Sequence, residues 1–202
     1  MRHYDVKETA KLIREALKQA YPEVKFSVRL SRYSGGCSID ASWTDGPTAR
    51  EVNDILDTFN GQGFDGMQDL SYHCGRRTFK GEQVDFHSGY VRGQRDISAQ
   101  FLRLVAARVA KECNLLAPPV NDKGYIEGNY HEIRAPYQWH SSWSEKPLTM
   151  YDFLSSDNIL AHDSHEGEYL TRLIDRIAQH VSLKRALPVD LPKYLKDESE
   201  VA

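Results

Sequence analysis

The segment from His162 to Glu166 combines residue types that could bind a metal ion, because His162 and His165 stand three residues apart just before an apolar, helix-forming stretch. Two imidazoles at this spacing can share one ion, and Glu166 could act as a base toward a bound water. His131 or Glu132 could supply a third ligand. The order differs from the HExxH motif, and the residues between the histidines are equally typical of a helix start. We therefore take His162 and His165 as candidate ligands but predict no bound metal or other cofactor.

A second set of possible cation ligands surrounds the glycine-rich run 61–66. Asp65 and Asp69 could bind a cation together with Asp85 or His87. The run lacks the lysine and hydroxyl ending of a phosphate-binding loop. We predict instead that it ends a helix and forms a loop in which the glycines adopt positive φ.

Cys74 has the neighbours that a thiol nucleophile needs. His73 precedes it, His87 could act as a base, and Arg76 with Arg77 would favour the thiolate. No spacing here is diagnostic of a known cysteine enzyme, so we predict no catalytic residue.

Basic and aromatic residues alternate between residues 72 and 95. Arg76, Arg77, Arg92 and Arg95 could form a nucleic-acid surface on which nearby aromatic rings stack against bases. The net charge of −3 is too small to attract nucleic acid to the surface as a whole. Nucleic-acid binding is thus possible, with solvated surface charge as the alternative.

Aromatic residues are also concentrated in an irregular stretch that contains Tyr137, Trp139 and Trp143. Large rings of this kind are enriched in protein–protein interfaces. They could equally close a hydrophobic core where no helix does so. We therefore retain these three residues as candidate binding residues.

The polar face of one predicted strand presents Asp40, with Asp45 in the turn that follows. Together with Asp65, these carboxylates could serve a metal-dependent hydrolase or nuclease. Pairing of Asp40 with Arg29 across a solvent-exposed hairpin is the simpler interpretation. We regard an enzyme as the less favoured alternative.

Composition is that of an ordinary globular protein. The 202 residues are 40% hydrophobic and 27% charged, which excludes the low-hydrophobicity regime of disorder. The three cysteines, Cys37, Cys74 and Cys113, are widely spaced and form no CxxC pair. This favours a reducing compartment, and the lack of a signal peptide or a long apolar run predicts a cytoplasmic protein without membrane contact.

Periodicity predicts an α+β fold in the order α-β-β-α-β-α, with a small antiparallel sheet packed against amphipathic helices and a helical or irregular C-terminal extension. The predicted domains are 1–114, an extension 115–186 with a C-terminal helix, and a flexible tail 187–202. The predicted elements are a helix over 6–20, a hairpin of Phe26–Leu30 and Cys37–Trp43, a helix over 48–59, a strand over 84–92, and helices over 97–113, 149–155 and 165–181. We expect the apolar faces of 52–59 and 101–110 to cover the hairpin.

Two strings in the first half are distinctive: SIDASWTDGPT at residues 38–48 and GFDGM at 63–67. With residues 11–18 and 21–29, they make residues 5–113 resemble the large polyvalent protein-associated domain family, type 29, of phages and conjugative elements. The resemblance implies a mobile-element protein, of a kind suspected of countering host restriction or CRISPR systems, and implies no catalytic residues. We therefore expect a non-enzymatic binding protein whose partner is a host defence protein or nucleoprotein complex.

Overall fold

The computed structural model describes residues 2–135, 137–139, 148–156, 160–162 and 168–183. Its contacts divide the chain into two compact units. The first unit comprises residues up to 43 together with 49–95, and the second comprises 44–48 together with the residues from 96 onward. The boundary predicted from the sequence lies later, at residue 114, and the predicted tail from 187 lies outside the described residues.

The secondary structure is α+β, as predicted. The helices are α1 (Val6–Ala20), α2 (Ala49–Leu56), α3 (Ala99–Glu112), α4 (Met150–Ser155) and α5 (Leu170–His180), with 3-10 turns at Asp57–Phe59 and Tyr130–Glu132. The strands of the first half are β1 (Arg2–Tyr4), β2 (Ser27–Tyr33), β3 (Gly36–Thr44), β4 (Gln62–Asp65), β5 (Leu70–His73), β6 (Arg77–Phe79), β7 (Glu82–Phe86) and β8 (Tyr90–Asp96). Those of the second half are β9 (Arg134–Ala135), β10 (Tyr137–Trp139), β11 (Leu148–Thr149), β12 (Leu160–His162), β13 (Glu168–Tyr169) and β14 (Val181–Ser182). None of the described helices combines the length and apolar composition needed to cross a bilayer.

Helix α1 begins with the capping box that the sequence predicts. The Asp5 carboxylate accepts hydrogen bonds from the backbone amides of Lys7 and Glu8, and the Glu8 side chain accepts one from the Asp5 amide. The bond from the Glu8 amide is the main reason that the pKa of Asp5 is lowered. Ile13 and Leu17 on the apolar face are fully buried.

The predicted hairpin is present as β2 and β3, which pair antiparallel with Arg29 opposite Asp40. Strand β8 lies on the other side of β3 and completes a three-stranded sheet. Ile39, Ala41 and Trp43 alternate along β3 on its buried face. The period-2 pattern therefore fixes which face of this sheet enters the core.

A second three-stranded sheet has the order β1-β7-β6, in which β1 runs parallel and β6 antiparallel to β7. The sequence predicts one strand over 84–92, but the chain forms β7 and β8 on different sheets. Ser88 and Gly89 interrupt the strand because Gly89 adopts φ +62° and Ser88 turns its hydroxyl toward the backbone at Phe59 and Gly61.

The glycine-rich run does follow the end of a helix, at Phe59, as predicted. The predicted loop with positive φ is wrong, because residues 62–65 form strand β4 and none of the glycines of the run has positive φ. These glycines are required by close approach instead. A Cβ atom on Gly61 would lie 2.1 Å from the Phe86 carbonyl oxygen, and one on Gly63 would lie 2.5 Å from the ring of Tyr72 on the paired strand.

Each unit has its own hydrophobic core. In the first unit α1, α2 and the two three-stranded sheets enclose a core that includes Ile13, Trp43 and Phe86. Helix α3 contributes to the other core, where Phe101 and Val105 lie with α4 and α5. The expectation that residues 101–110 cover the hairpin is therefore wrong, because α5 offers that helix a complementary apolar face within its own unit.

Substitution of Gly89 tests the importance of close packing at the β7–β8 break. In Gly89→Ala, the new Cβ atom would lie 1.9 Å from the Cys37 carbonyl oxygen in addition to occupying the left-handed region. We expect a loss of about 2–4 kcal/mol in the free energy of unfolding, measured by urea denaturation. The matched control is Gly75→Ala, at φ +71°, where a new Cβ would meet no atom within 4 Å and the loss should be only about 1 kcal/mol. Equal losses would show that backbone conformation alone accounts for the effect.

Candidate functional site

Strands β1 and β7 bring a histidine and an aspartate together on one face of their sheet. In the parallel register His3 lies opposite Asp85, while Tyr4 lies opposite Phe86. Since side chains alternate along a strand, Tyr4 and Phe86 stack in the core and His3 and Asp85 lie on the other face. His87 follows Asp85 by two residues, and its amide donates a hydrogen bond to the Tyr4 carbonyl at 3.0 Å, which continues the pairing with β1. Its ring therefore lies on the same face as Asp85.

Three imidazoles surround the Asp85 carboxylate. Its Oδ2 atom lies 3.4 Å from Nε2 of His87 and 3.5 Å from Nδ1 of His3, and its Oδ1 atom lies 2.9 Å from Nε2 of His73. The two nitrogens of His3 and His87 are themselves 3.3 Å apart. Asp85 is only 8% exposed although it faces away from the core, whereas each histidine side chain is about half exposed. We call His3, His73, Asp85 and His87 the histidine cluster.

The fourth member of the cluster, His73, comes from the end of a separate hairpin formed by β4 and β5. The base of this hairpin is held to the β7–β8 break. The amides of Gly61 and Gln62 both bond the Gly89 carbonyl at 3.2 Å. The buried hydroxyl of Ser88 accepts a hydrogen bond from the Gly61 amide at 3.1 Å. These bonds place His73 beside Asp85.

Beyond its base, the β4–β5 hairpin presents large apolar side chains to solvent. Phe64, Leu70 and Tyr72 are each more than half exposed, and Met67 in the turn is 99% exposed. Phe64 lies opposite Ser71, whereas Leu70 and Tyr72 lie opposite Asp65 and Gly63. Phe64 is therefore on one face of the hairpin, and Leu70 and Tyr72 are on the other. We call these four apolar residues the hairpin surface.

The three carboxylates predicted as alternative catalytic residues each have a local structural role. Asp40 lies across from Arg29 and accepts a hydrogen bond from Ser38. Asp45 accepts one from the Ser98 amide at 2.8 Å, just before α3. Asp65 accepts one from the Met67 amide at 2.9 Å and so stabilises the hairpin turn. Among the described residues, none of these carboxylates belongs to a group of three or more side chains that could hold a metal ion.

The predicted candidates of the second half are only partly described. His162 ends strand β12, where it pairs with Tyr137, and Trp139 ends strand β10, but their side chains are not described. His165 and Trp143 lie outside the described residues. Their predicted roles in metal and protein binding stay predictions.

The four arginines have separate environments. Arg77 donates a hydrogen bond to the Asp57 carbonyl, and Arg92 lies over the ring of Tyr90 at 5.4 Å. Arg76 is exposed, but Arg95 is only 6% exposed and so is largely withdrawn from any surface that nucleic acid could contact. Nucleic-acid binding by the other three stays a prediction.

None of the three cysteines forms a disulfide bond. Burial, with Glu112 alongside, raises the pKa of Cys113 to about 11, so this thiol is protonated at neutral pH. Cys74 is half-buried next to His73, but the His73 Nε2 atom lies against Asp85. That carboxylate, not the thiol, is the partner that the structure gives to the imidazole.

Sequence reasoning finds three members of the cluster separately and misses the fourth. It considers Asp85 and His87 as ligands beside Asp65, and His73 as a base for Cys74. The spacing of two residues between Asp85 and His87 in a strand is a signal that both point to one face. His3 carries no such signal, because only the parallel pairing of β1 with β7 brings it to Asp85.

Comparison with known proteins finds one family model that is similar to the first half of the chain. No curated protein and no solved structure matches it. The family model described as large polyvalent protein associated domain 29 matches residues 4–98, a span that contains the hairpin surface and all of the histidine cluster except His3. Residues 4–98, just under half of the 202 residues, therefore match large polyvalent protein associated domain 29, a domain that implies an association with mobile genetic elements.

Proposed function

We propose that this mobile-element protein acts without catalysis, by docking the hairpin surface onto another protein. The observation that carries the proposal is the exposure of four large apolar side chains, Phe64, Met67, Leu70 and Tyr72, within one short hairpin. Isolated exposed apolar residues are ordinary, whereas a concentration of them on one element is typical of a binding surface.

The distribution of these side chains suits insertion between two surfaces of a partner. Leu70 and Tyr72 lie on one face of the hairpin and Phe64 on the other, with Met67 at the turn. Aromatic side chains contribute large contact area at small entropic cost, and methionine adapts its shape to a pocket. Burial of each such side chain on binding contributes about 1.5–3 kcal/mol.

The charge of the hairpin favours a protein partner over a nucleic acid. Residues 62–73 contain no lysine or arginine but include Asp65 and Asp69. Phosphate contacts supply most of the non-specific affinity for nucleic acids, and carboxylates repel phosphates. The alternative of a DNA-binding module would need the arginines outside this hairpin.

The backbone of the hairpin offers a second means of binding. Strands β4 and β5 form a two-stranded sheet, so each has one edge that no other described strand pairs with. Such an edge can accept a strand of a partner through main-chain hydrogen bonds. Backbone pairing at the edge and apolar contacts at the faces would then act together.

The partner that we propose is a protein of the host's restriction or CRISPR defence, met in the cytoplasm. The mobile-element context of the domain supports this choice, since such defences act against incoming DNA. The hairpin residues that would make the contact lie inside the matched span, which links the docking surface to the domain rather than to the second unit.

The test compares host protection by the wild-type chain with that by the double variant Phe64→Ser, Met67→Ser. Both positions are exposed, so the free energy of unfolding should change by no more than about 0.5 kcal/mol per substitution. We expect the wild type to raise the survival of incoming phage or plasmid DNA in a host with a defined restriction or CRISPR system. The variant should lose at least about tenfold of this protection, the equivalent of about 1.4 kcal/mol in binding.

A matched control removes two exposed apolar side chains elsewhere. Leu116→Ser with Tyr151→Ser changes residues that are 84% and 77% exposed in the second unit, and should leave protection intact. A defence protein that co-purifies with the wild type and the control, but not with the hairpin variant, would identify the partner. Full protection by the hairpin variant, or no protection by the wild type against any defence tested, would contradict the proposal.

A further inference from the structure

We infer that the histidine cluster is a binding site for a divalent transition-metal ion such as Zn²⁺, with His3, Asp85 and His87 as ligands. The inference is independent of docking by the hairpin surface. It rests on the positions of three ligand atoms, on the burial of Asp85 and on the contact made by His73.

The three ligand atoms form a nearly equilateral triangle. Nδ1 of His3, Nε2 of His87 and Oδ2 of Asp85 are separated by 3.3, 3.4 and 3.5 Å. Zinc binds imidazole nitrogen and carboxylate oxygen at about 2.0–2.2 Å in a tetrahedron, which puts neighbouring ligand atoms about 3.3–3.6 Å apart. The three atoms thus have the separations of one face of a zinc tetrahedron.

The chemistry of the ligands agrees with this geometry. Two imidazoles and one carboxylate are a common ligand set for zinc and other first-row transition metals, whereas Ca²⁺ and Mg²⁺ favour oxygen ligands. All three side chains belong to one group of potential ligands whose atoms lie within 4.8 Å of one another. An ion would compensate the charge of the buried carboxylate and would lie between the two imidazole nitrogens, which face each other at 3.3 Å.

His73 has a different role, because its Nε2 atom contacts Oδ1 of Asp85, whereas His3 and His87 contact Oδ2. A partner on the non-coordinating oxygen of a ligand carboxylate holds that ligand in place. His73 is therefore a positioning residue. Through it, the site also connects the base of the β4–β5 hairpin to strands β1 and β7.

The fourth coordination position faces solvent, since the side chains of His3 and His87 are 55% and 57% exposed. In a site with three protein ligands this position takes water or a group from another molecule. The cluster is thus of the open type, and its metal remains accessible to small chelators.

The experiment measures binding of Zn²⁺ to the full chain without an affinity tag, after removal of metals with EDTA and with thiols kept reduced. Isothermal titration should give one equivalent of bound Zn²⁺ per chain, and Co²⁺ should give the intense visible absorption of a tetrahedral site. His3→Gln and His87→Gln should each weaken binding at least about 100-fold, and His73→Gln about 10- to 100-fold with the stoichiometry unchanged. Because protons compete for imidazole nitrogen, affinity should also fall as the pH is lowered.

The control variants are His180→Gln and Asp122→Asn, which remove a histidine and an exposed carboxylate of the second unit and should leave affinity unchanged. Urea denaturation of each metal-free variant separates loss of binding from loss of folding. Absence of Zn²⁺ binding to the wild type would overturn the inference. So would retention of full affinity by both His3→Gln and His87→Gln, or an equal loss in the control variants, since each outcome would place the bound ion elsewhere.

Discussion

Phe86→Ala is expected to lower the free energy of unfolding of the first unit by about 3–5 kcal/mol, a large part of the stability of a typical domain. Phe86 is 2% exposed and lies at the centre of an aromatic group. Its ring stacks on Tyr4 at 5.4 Å and meets the edges of Phe59 and Phe79 at 5.4 and 5.7 Å. Truncation removes these contacts and leaves a cavity that three rigid rings fill poorly.

The measurement is urea denaturation followed by near-ultraviolet circular dichroism, with Phe64→Ala as a matched control in the same unit. Phe64 is 57% exposed, so its truncation should change the free energy of unfolding by less than about 0.5 kcal/mol. Phe86→Leu keeps most of the volume and should fall between the two. A loss below about 1 kcal/mol in Phe86→Ala would mean that the aromatic group is not the centre of the core.

The consequences of such a loss would extend to the histidine cluster, because one strand serves both. Strand β7 directs Val84 and Phe86 into the core and Asp85 away from it. The alternation that packs the aromatic group therefore also sets the direction of the carboxylate. Phe86→Ala should therefore lose metal binding at a lower urea concentration than the wild type, as its first unit unfolds, whereas Phe64→Ala should bind metal as the wild type does.

Local patterns predict those elements that local physics determines. The capping box at Asp5 with the stripe of Ile13 and Leu17 indicates α1, and alternation indicates β2 and β3. In each case the residues that specify the element also lie within it. The expected α+β class follows from these patterns alone.

Non-local pairing explains what the sequence does not disclose. The three-residue strand β1 has no detectable pattern, and its parallel pairing with β7 joins residues more than eighty positions apart. In the sequence, Gly61 and Gly63 are typical of a turn. In the structure they are required because a Cβ atom would collide with Phe86 or Tyr72. A single sequence does not distinguish a glycine that is required by a close neighbour from one that is required by a positive φ.

The assignment of α3 to the hairpin is wrong for a related reason. The stripe of Phe101, Val105 and Val109 shows that the helix has an apolar face, but not which surface covers it. The matching face of α5, with Leu173 and Ile177, comes some seventy residues later. An amphipathic pattern predicts that one face of a helix is buried, but only the structure shows which element packs against that face.

The same helix α3 carries the second large expected effect, the loss of a buried charge pair. Arg108 Nη1 lies 3.2 Å from Glu112 Oε2, and the Glu112 side chain is 9% exposed. Arg108 also donates a hydrogen bond to the Ser156 carbonyl at 2.7 Å, and Glu112 accepts one from the Leu160 amide at 2.9 Å. Arg108→Ala leaves the carboxylate buried without this cation, so we expect a loss of about 3–5 kcal/mol in the free energy of unfolding at pH 7.

A double-mutant cycle with Glu112→Gln isolates the charge from the other contacts. Glutamine keeps an oxygen that can accept the hydrogen bond from the Leu160 amide, but it has no charge that needs a buried partner. In the Glu112→Gln background, Arg108→Ala should therefore lower the free energy of unfolding by at least about 1 kcal/mol less than in the wild type. Arg103→Ala on the same helix is the control for an exposed ion pair, because Asp122 is 99% exposed and such pairs contribute about 0–1 kcal/mol. Arg103 also donates a hydrogen bond to the Val120 carbonyl, as Arg108 does to Ser156, so the two variants each lose one bond of this kind. If Arg108→Ala lowers the free energy of unfolding equally in both backgrounds, its effect comes from the Ser156 hydrogen bond and from packing. The ion pair with Glu112 would then contribute nothing to the stability of α3 in the second unit.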